Sequence, residues 1–447
     1  MSSPIWHPFT QHALTPDATL VARGEGAWLD ISPSGLRGAG AATAFGQQAS
    51  PPYASALARA QGEANPTRLL DAISSWWVIT HGHRHPRIVE AIKQQADQLD
   101  QVIFANFTHQ PAEDVARALI EIAPQGLIRV FYSDSGSTSV EVALKMALGF
   151  WKNNGKDRTR IIALEHAYHG DTVGTMSAGA RGVYNAAYAP LLYDVIRLPF
   201  PAAGREQQTL DQLRLAAQGA AALIVEPLIL GAGGMLIYSP DVLRDMTAIC
   251  RDSGTLLILD EVMTGFGRTG TLFACEQAGI APDILCLAKG LSGGSLPLAA
   301  TLCREEIFAA HYSTDRSRTF FHSSSFTANP IACAAARANL EIWRDEPVRD
   351  RIAALAARQE ERLTRLRGDR RFENVRRLGT ITALDLKVPD AGYLANVATE
   401  LMKFFHASGV LLRPLGNTIY VMPPYCVTAQ DLDLVYDAIL AAAGKFA

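Results

Sequence analysis

Asp260 and Lys289 are the residues whose placement most constrains the chemistry of this chain. Each lies just beyond an apolar run of strand length. Thr255-Leu-Leu-Ile-Leu259 leads into Asp260, and Ile284-Leu-Cys-Leu287 leads through Ala288 to Lys289. Runs that are apolar at every position suit strands buried on both faces of a parallel sheet. Open α/β sheets bind ligands beyond the carboxyl ends of their strands, so the two side chains are expected in one ligand site. An acid and an amine delivered there suit a cofactor with a basic ring nitrogen and an aldehyde, and pyridoxal 5′-phosphate is such a cofactor. The lysine would form a Schiff base, and the carboxylate would keep the ring nitrogen protonated so that the ring accepts electrons. Singly, each residue reads more simply as a strand-capping Asp or a surface Lys.

A phosphate site tips that balance. Phe131-Tyr-Ser-Asp-Ser-Gly-Ser-Thr-Ser139 joins a strand to a helix. Gly136 lets the backbone approach closely, Ser135 and its neighbours donate, and the helix start offers free N–H groups and a positive dipole end. The loop is neither a P-loop nor a G-x-G-x-x-G turn, which weakens nucleotide-fold alternatives. Its plain alternative is a Ser/Thr-capped helix start. At another strand end, His166-Ala-Tyr-His-Gly-Asp171 offers Tyr168 for stacking on a flat ring, or for simple packing, and Asp171 to orient a neighbour. Phe320-Phe-His-Ser-Ser-Ser-Phe-Thr-Ala-Asn-Pro330 is a second hydroxyl-rich turn able to meet phosphate oxygens. Arg413 sits in the apolar segment Leu411-Leu-Arg-Pro-Leu-Gly416 and needs an anionic partner. That partner is either a substrate carboxylate held bidentately or a structural carboxylate.

The elements that would position these groups alternate between strand and helix from about residue 70 to 325. Strand candidates are 129–132, 160–164, 222–225, 255–259, 284–287 and 298–302, with helical stretches at 139–147 and 242–250 among them. The alternation implies a three-layer α/β domain with a mostly parallel sheet. The expected division is an N-terminal arm with part of a small domain (1–69), a large cofactor-binding domain (70–329) and a smaller α+β domain (330–447). The arm ends in a strand near Ala27-Trp-Leu-Asp30, which needs a sheet to pair with. Residues 31–67, rich in Gly, Ala, Ser and Pro, read as a surface insertion. The C-terminal part reads as one long Ala-rich helical region over 331–366, then strand regions near 378–387 and 409–422 around a helix near 393–407.

Bulk properties exclude several classes. A net charge of −3 gives no electrostatic case for nucleic acid or an anionic membrane. No apolar stretch reaches the ~18 residues that span a bilayer, and the N-terminus lacks the pattern of a secretion signal, so a cytoplasmic location is expected. The six cysteines are scattered singly, as expected of buried free thiols. His81-Gly-His-Arg-His85 has no Cys or carboxylate at ligand spacing, so no metal is expected there.

Leu259-Asp-Glu-Val-Met-Thr-Gly-Phe-Gly-Arg-Thr-Gly270 with Leu287-Ala-Lys-Gly290 resembles the class III pyridoxal-phosphate aminotransferases, enzymes of fold type I. The resemblance covers nearly the whole chain outside 31–67. It implies Lys289 as the Schiff-base lysine, Asp260 as the partner of the pyridine nitrogen, Ser135 and Gly136 in the phosphate cup, and Tyr168 against the ring. The segments Ile5-Trp-His-Pro-Phe-Thr10, Ile73-Ser-Ser-Trp-Trp77, His81-Gly-His and Val421-Met-Pro-Pro-Tyr425 are similar to those of members that aminate 8-amino-7-oxononanoate in biotin formation. By that likeness Phe9, Trp76, Trp77 and Tyr168 line the substrate site, Arg413 receives the carboxylate, and Asp171 and Arg268 make supporting contacts. The flat, apolar tryptophan pair suits a long aliphatic chain better than a small charged donor such as glutamate.

Two departures bear on specificity. Phe9 stands where the motif often has tyrosine, which leaves the amino donor open between S-adenosyl-L-methionine and lysine. His322-Ser-Ser-Ser325 stands where His-Gly-Pro-Thr is common, with Ser324 and Ser325 at phosphate-facing positions and Ser323 beside the substrate. If the homodimer usual in the class carries over, this turn serves the partner subunit's phosphate. Alternatives are an ω-amino acid or diamine transaminase of the same class, and a catalytically silent binding protein.

Overall fold

The computed structural model describes residues 4–14, 18–31, 67–389 and 391–447. The insertion expected at 31–67 therefore lies outside the described residues except at its two ends. A hairpin of β1 (Val21–Glu25) and β2 (Trp28–Ile31) precedes β3 (Arg68–Asp71). Next come β4 (Leu127–Ser133), α1 (Gly136–Asn153), β5 (Ile161–Leu164), β6 (Ile196–Leu198) and β7 (Ala222–Val225). They are followed by α2 (Pro240–Ser253), β8 (Leu256–Asp260), β9 (Ile284–Leu287) and β10 (Ala299–Arg304). The C-terminal part holds α3 (Pro330–Asp345), α4 (Val348–Leu366), β11 (Phe372–Leu378), β12 (Ile381–Leu386), α5 (Val397–Ala407), β13 (Val410–Leu411), β14 (Thr418–Val421) and α6 (Ala429–Phe446).

Seven strands form the central sheet in the order β4-β10-β9-β8-β7-β5-β6. All pairings are parallel except those of β10, which runs antiparallel to both β4 and β9. The apolar runs alternate between two cores. Leu257, Leu259, Leu285, Leu287, Leu223 and Val225 join one, while Leu256, Ile258, Ile284, Cys286, Ala222 and Ile224 join the other. Strand side chains alternate sides, and helices cover both faces, so every position is apolar. Each Leu, Ile or Val among them contributes about 1.5–3 kcal/mol of burial. The fold is thus α/β of three layers, with a mixed sheet in which parallel pairing dominates. Helix α2 shows how connections are punctuated: Ser239 caps its start, Pro240 opens it, and Gly254 at φ 66° ends it.

Because β10 is the lone reversed strand, the carboxyl ends of β4, β5, β7, β8 and β9 share one edge of the sheet. Around that edge lie two smaller sheets. One is β1-β2-β3-β13, in which the N-terminal hairpin is continued by the C-terminal strand β13, parallel to β3. The other is the antiparallel β11-β12-β14. The single helical region expected over 331–366 is instead two helices. Glu346 is extended (φ −111°, ψ 155°) ahead of Pro347, a residue that disfavours helix before it and has no N–H to donate. Within the arm, β1 pairs with the expected strand β2, and its polar sequence Val-Ala-Arg-Gly-Glu carries no strand signal.

Candidate active site

The shared edge opens on a cavity of about 1220 Å³. At its floor, β4 ends and α1 begins. The Ser135 hydroxyl accepts from the Thr138 N–H at 3.2 Å, and the Thr138 hydroxyl accepts from the Ser135 N–H at 2.9 Å, a reciprocal cap. Gly136 is required here, since a Cβ would come within 2.6 Å of Val262. Gly170 (φ 131°) lets the 168–171 turn press on the same helix start, where the Asp171 N–H donates to the Ser137 hydroxyl. Ser135, Gly136 and Ser137 line the cavity here, and a helix start leaves N–H groups without intrahelical acceptors, which suits a phosphate.

Asp260, at the end of β8, lines the cavity beside that floor. One carboxylate oxygen lies 2.8 Å from His169 Nδ1, and the other accepts from the Val262 N–H at 3.1 Å. Lys289 projects into the cavity from a residue at φ 42°, with Nζ 4.5 Å from the centroid of the Trp77 ring. Burial pulls its pKa from 10.5 down to about 8, against the opposing pull of Asp260 and Glu226. Glu226 follows β7 directly and is buried. It accepts the N–H groups of Tyr168 and Gly231, both at 2.9 Å, and burial raises its pKa to about 7. Burial also raises the Tyr168 pKa, so its hydroxyl stays protonated in the cavity wall.

The opposite wall is aromatic. Trp76 and Trp77 come from a turn in which Ser74, Ser75 and Trp77 all have positive φ. Such conformations persist only when surroundings hold them, and Asp71 does so. Its carboxylate accepts from the Ser75 N–H at 2.7 and 2.8 Å and from the Ile73 N–H at 3.3 Å. The Trp77 indole donates to the Tyr420 hydroxyl at 3.0 Å. Phe9, from the arm, meets the edges of Trp76 and Tyr184 with centroids 5.7 and 6.3 Å away. Arg413 stacks over Trp76 at 5.2 Å and donates to the Phe9 carbonyl at 2.9 Å. Among the described residues no carboxylate lies within ion-pair distance of it.

Ten of the expected site residues thus share one cavity: Phe9, Trp76, Trp77, Ser135, Gly136, Tyr168, Asp171, Asp260, Lys289 and Arg413. Four do not line it. Arg268 is wholly buried, and its guanidinium donates to the carbonyls of Pro423 (3.1 Å), Ile79 (2.8 Å) and Trp77 (3.5 Å). It braces the tryptophan turn from behind and does not face the cavity. Ser323, Ser324 and Ser325 form a turn in which the Ser324 hydroxyl donates to Asp134, the residue before the phosphate floor. The sequence reasoning missed His169, Glu226, Tyr184 and Tyr393. Glu226 carried the same signal as Asp260, a polar residue ending an apolar strand. Tyr184 and Tyr393, whose rings are tilted 55° with centroids 4.3 Å apart, carried none.

A carboxylate braced by His169, a half-buried amine and a helix start that only glycine fits match the ring nitrogen, aldehyde and phosphate of pyridoxal 5′-phosphate. The family model for Aminotransferase class-III matches residues 53–443. The chain is 43% identical over 445 residues to adenosylmethionine-8-amino-7-oxononanoate aminotransferase of Synechococcus elongatus, covering 97% of each. To the enzyme of the same name from Geobacter sulfurreducens it is 35% identical, covering 97% of this chain and 94% of that one. The crystal structure of adenosylmethionine-8-amino-7-oxononanoate aminotransferase from Methanocaldococcus jannaschii superposes with a TM-score of 0.88 at 31% identity, over 99% of this chain and 97% of that one. An amine transaminase from an uncultivated Pseudomonas species, in its PLP-bound form, superposes with a TM-score of 0.87 at 31% identity over the full length of both. By sequence and by fold, the chain belongs to the class III aminotransferases, pyridoxal-phosphate enzymes of fold type I.

Proposed function

We propose that this aminotransferase converts 8-amino-7-oxononanoate to 7,8-diaminononanoate in biotin biosynthesis, with S-adenosyl-L-methionine as amino donor. One observation carries the acceptor: Arg413, set in an aromatic wall, has a main-chain carbonyl and, among the described residues, no carboxylate for company. A half-buried guanidinium so placed favours a ligand with a long apolar body and a terminal carboxylate. The likeness to relatives named for this reaction supports the same substrate.

In this reading the α1 start, with Ser135 and Gly136, holds the cofactor phosphate, and Asp260 holds a proton on the ring nitrogen. When bound, pyridoxal phosphate would supply the electron sink that transamination needs. Lys289 Nζ would hold the cofactor and move a proton at the donor α-carbon; an amine with a pKa near 8 is free often enough near neutral pH to act as a base. Tyr168 orients the ring. Trp76, Trp77 and Phe9 exclude water from the alkyl chain, and Arg413 receives its carboxylate. The central domain over 70–329 carries the cofactor groups, while Phe9 and Arg413 come from the flanking regions 1–69 and 330–447.

The protein works as a homodimer. Ile103, Phe107, Phe321 and Phe326 are exposed apolar side chains on segments joined by the Gln101–Ser325 hydrogen bond, and they flank the Ser323–Ser325 turn that would serve the partner subunit's phosphate. Sedimentation tests this. Six unpaired cysteines suit a reducing cytoplasm, and no helix of the described residues is long and apolar enough to cross a membrane.

The deciding experiment is a pair of half-reactions. Adenosylmethionine or lysine is added separately to the holoenzyme, and conversion of the aldehyde form to the amine form is followed by absorbance. 8-Amino-7-oxononanoate should then restore the aldehyde form and yield 7,8-diaminononanoate by mass spectrometry. The full-length match to an amine transaminase favours one second reading, an ω-amine substrate; turnover with pyruvate and simple amines but none with the oxononanoate would establish it.

A further inference from the structure

The loop His81-Gly82-His83 takes no part in the chemistry above, yet both imidazoles start hydrogen-bond chains that end at the site. His81 Nε2 lies 2.9 Å from Asn339 Oδ1. The same amide donates through Nδ2 to the carbonyls of Gly290 and Leu291, each at 3.0 Å. Those carbonyls belong to the Lys289–Ser292 turn, whose first residue carries the amine at φ 42°. The chemistry of the chain fixes its direction. Two carbonyls need a donor, so Nδ2 faces them, Oδ1 is left as an acceptor, and His81 Nε2 must carry hydrogen. His81 Nδ1 correspondingly has no hydrogen-bond partner. Burial lowers the His81 pKa to about 4, so the ring stays neutral near physiological pH. On the second chain, His83 Nε2 lies 2.8 Å from Asp71 Oδ2, and Asp71 holds the strained turn that presents Trp76 and Trp77.

We propose that His81, acting through Asn339, is a positioning residue for Lys289, and that His83, acting through Asp71, is the matching positioning residue for the tryptophan wall. One short loop therefore sets the distance between the amine and the surface on which the substrate lies. A non-glycine residue at positive φ relaxes unless its neighbours hold it. Lys289 has to reach the cofactor and then the donor carbon, and a misplacement of ~1 Å in such geometry costs on the order of 100-fold in rate. The inference rests on the roles given above to Lys289 and to the tryptophans.

The test compares Asn339→Ala, His81→Phe, His81→Gln and His83→Phe. Hydrogen exchange is measured in the cofactor-free protein, followed by steady-state kinetics of the holoenzyme. The reporters are the amides of Leu291 and Gly293, bonded inside the lysine turn to Ala288 and Gly290, and the amide of Ser75. Asn339→Ala and His81→Phe should speed exchange at Leu291 and Gly293 by about tenfold or more with Ser75 unchanged, and lower kcat with little change in KM. His81→Gln, whose side-chain amide can donate the same bond, should stay close to the parent. His83→Phe should do the converse, speeding exchange at Ser75 and raising KM for the acceptor while the lysine turn stays protected. Equal loosening of both segments in every variant, or His81→Gln as impaired as His81→Phe, overturns the proposal. Exchange in the cofactor-free protein does not depend on substrate identity, so a wrong substrate would leave this pattern intact while the half-reactions failed.

Discussion

The Lys289 amine offers a quantitative test of the site. A fall from 10.5 to about 8 corresponds to roughly 3 kcal/mol at ~1.36 kcal/mol per pH unit, or roughly 300-fold more free amine at pH 7 than an ordinary lysine has. Cofactor-free protein is pulsed with an acylating reagent across pH 6–11, and the Lys289 peptide is quantified by mass spectrometry beside peptides of exposed lysines. Acylation follows the free-amine fraction, so Lys289 should reach half its limiting rate near pH 8. Asp260→Asn should move that midpoint lower, because Asp260 favours the ammonium form; Arg268→Met should move it higher, because Arg268 disfavours it. The sign for stability follows. Between about pH 8 and 10.5 the unfolded chain holds a proton that the folded chain has lost, so this group makes stability rise with pH across that window. Its penalty is fully present below pH 8. A Lys289 midpoint above pH 10, alongside the exposed lysines, would refute the reasoning that burial tunes the amine.

Arg413→Ala should raise KM for the keto acid by about ten- to a hundredfold, the range of a charge-assisted hydrogen bond worth ~1.5–3 kcal/mol, while a methyl ester of the same substrate is handled alike by both proteins. Arg268→Met should destabilise the holoenzyme by on the order of 3 kcal/mol in denaturant titration, since it strands the buried carbonyls of Trp77, Ile79 and Pro423. Gly136→Ala puts a Cβ 2.6 Å from Val262; cofactor titration should show weaker binding, and thermal melts should show the cofactor-free chain destabilised as well.

What the sequence disclosed was whatever short segments decide alone. Asp260 and Lys289 were legible because a buried strand writes an unbroken apolar run and the fold places ligands where that run stops. Ser135 and Gly136 were legible because a helix start is local chemistry. The family likeness implies a supporting contact at the substrate for Arg268, but its direction depends on carbonyls contributed by residues 77, 79 and 423. No spacing along the chain encodes that convergence. The Tyr184–Tyr393 pair was missed for the same reason. The break at Glu346-Pro347 is written in the sequence by a residue that cannot donate, but alanine-rich periodicity on both sides masks it. The roles of His81 and His83 depend on Asn339 and Asp71, partners identified only by the fold.

The Phe9–Arg413 contact separates what the backbone of the arm does from what its side chain does. The acceptor on the arm is a main-chain carbonyl, which every residue type presents equally. Exchange of the ring at position 9 therefore leaves this latch unchanged while altering the surface next to Trp76 and Tyr184. Tyrosine in place of phenylalanine would add a hydroxyl to that surface without disturbing the contact that holds Arg413. Position 9 is in that sense a free dial mounted on a fixed hinge.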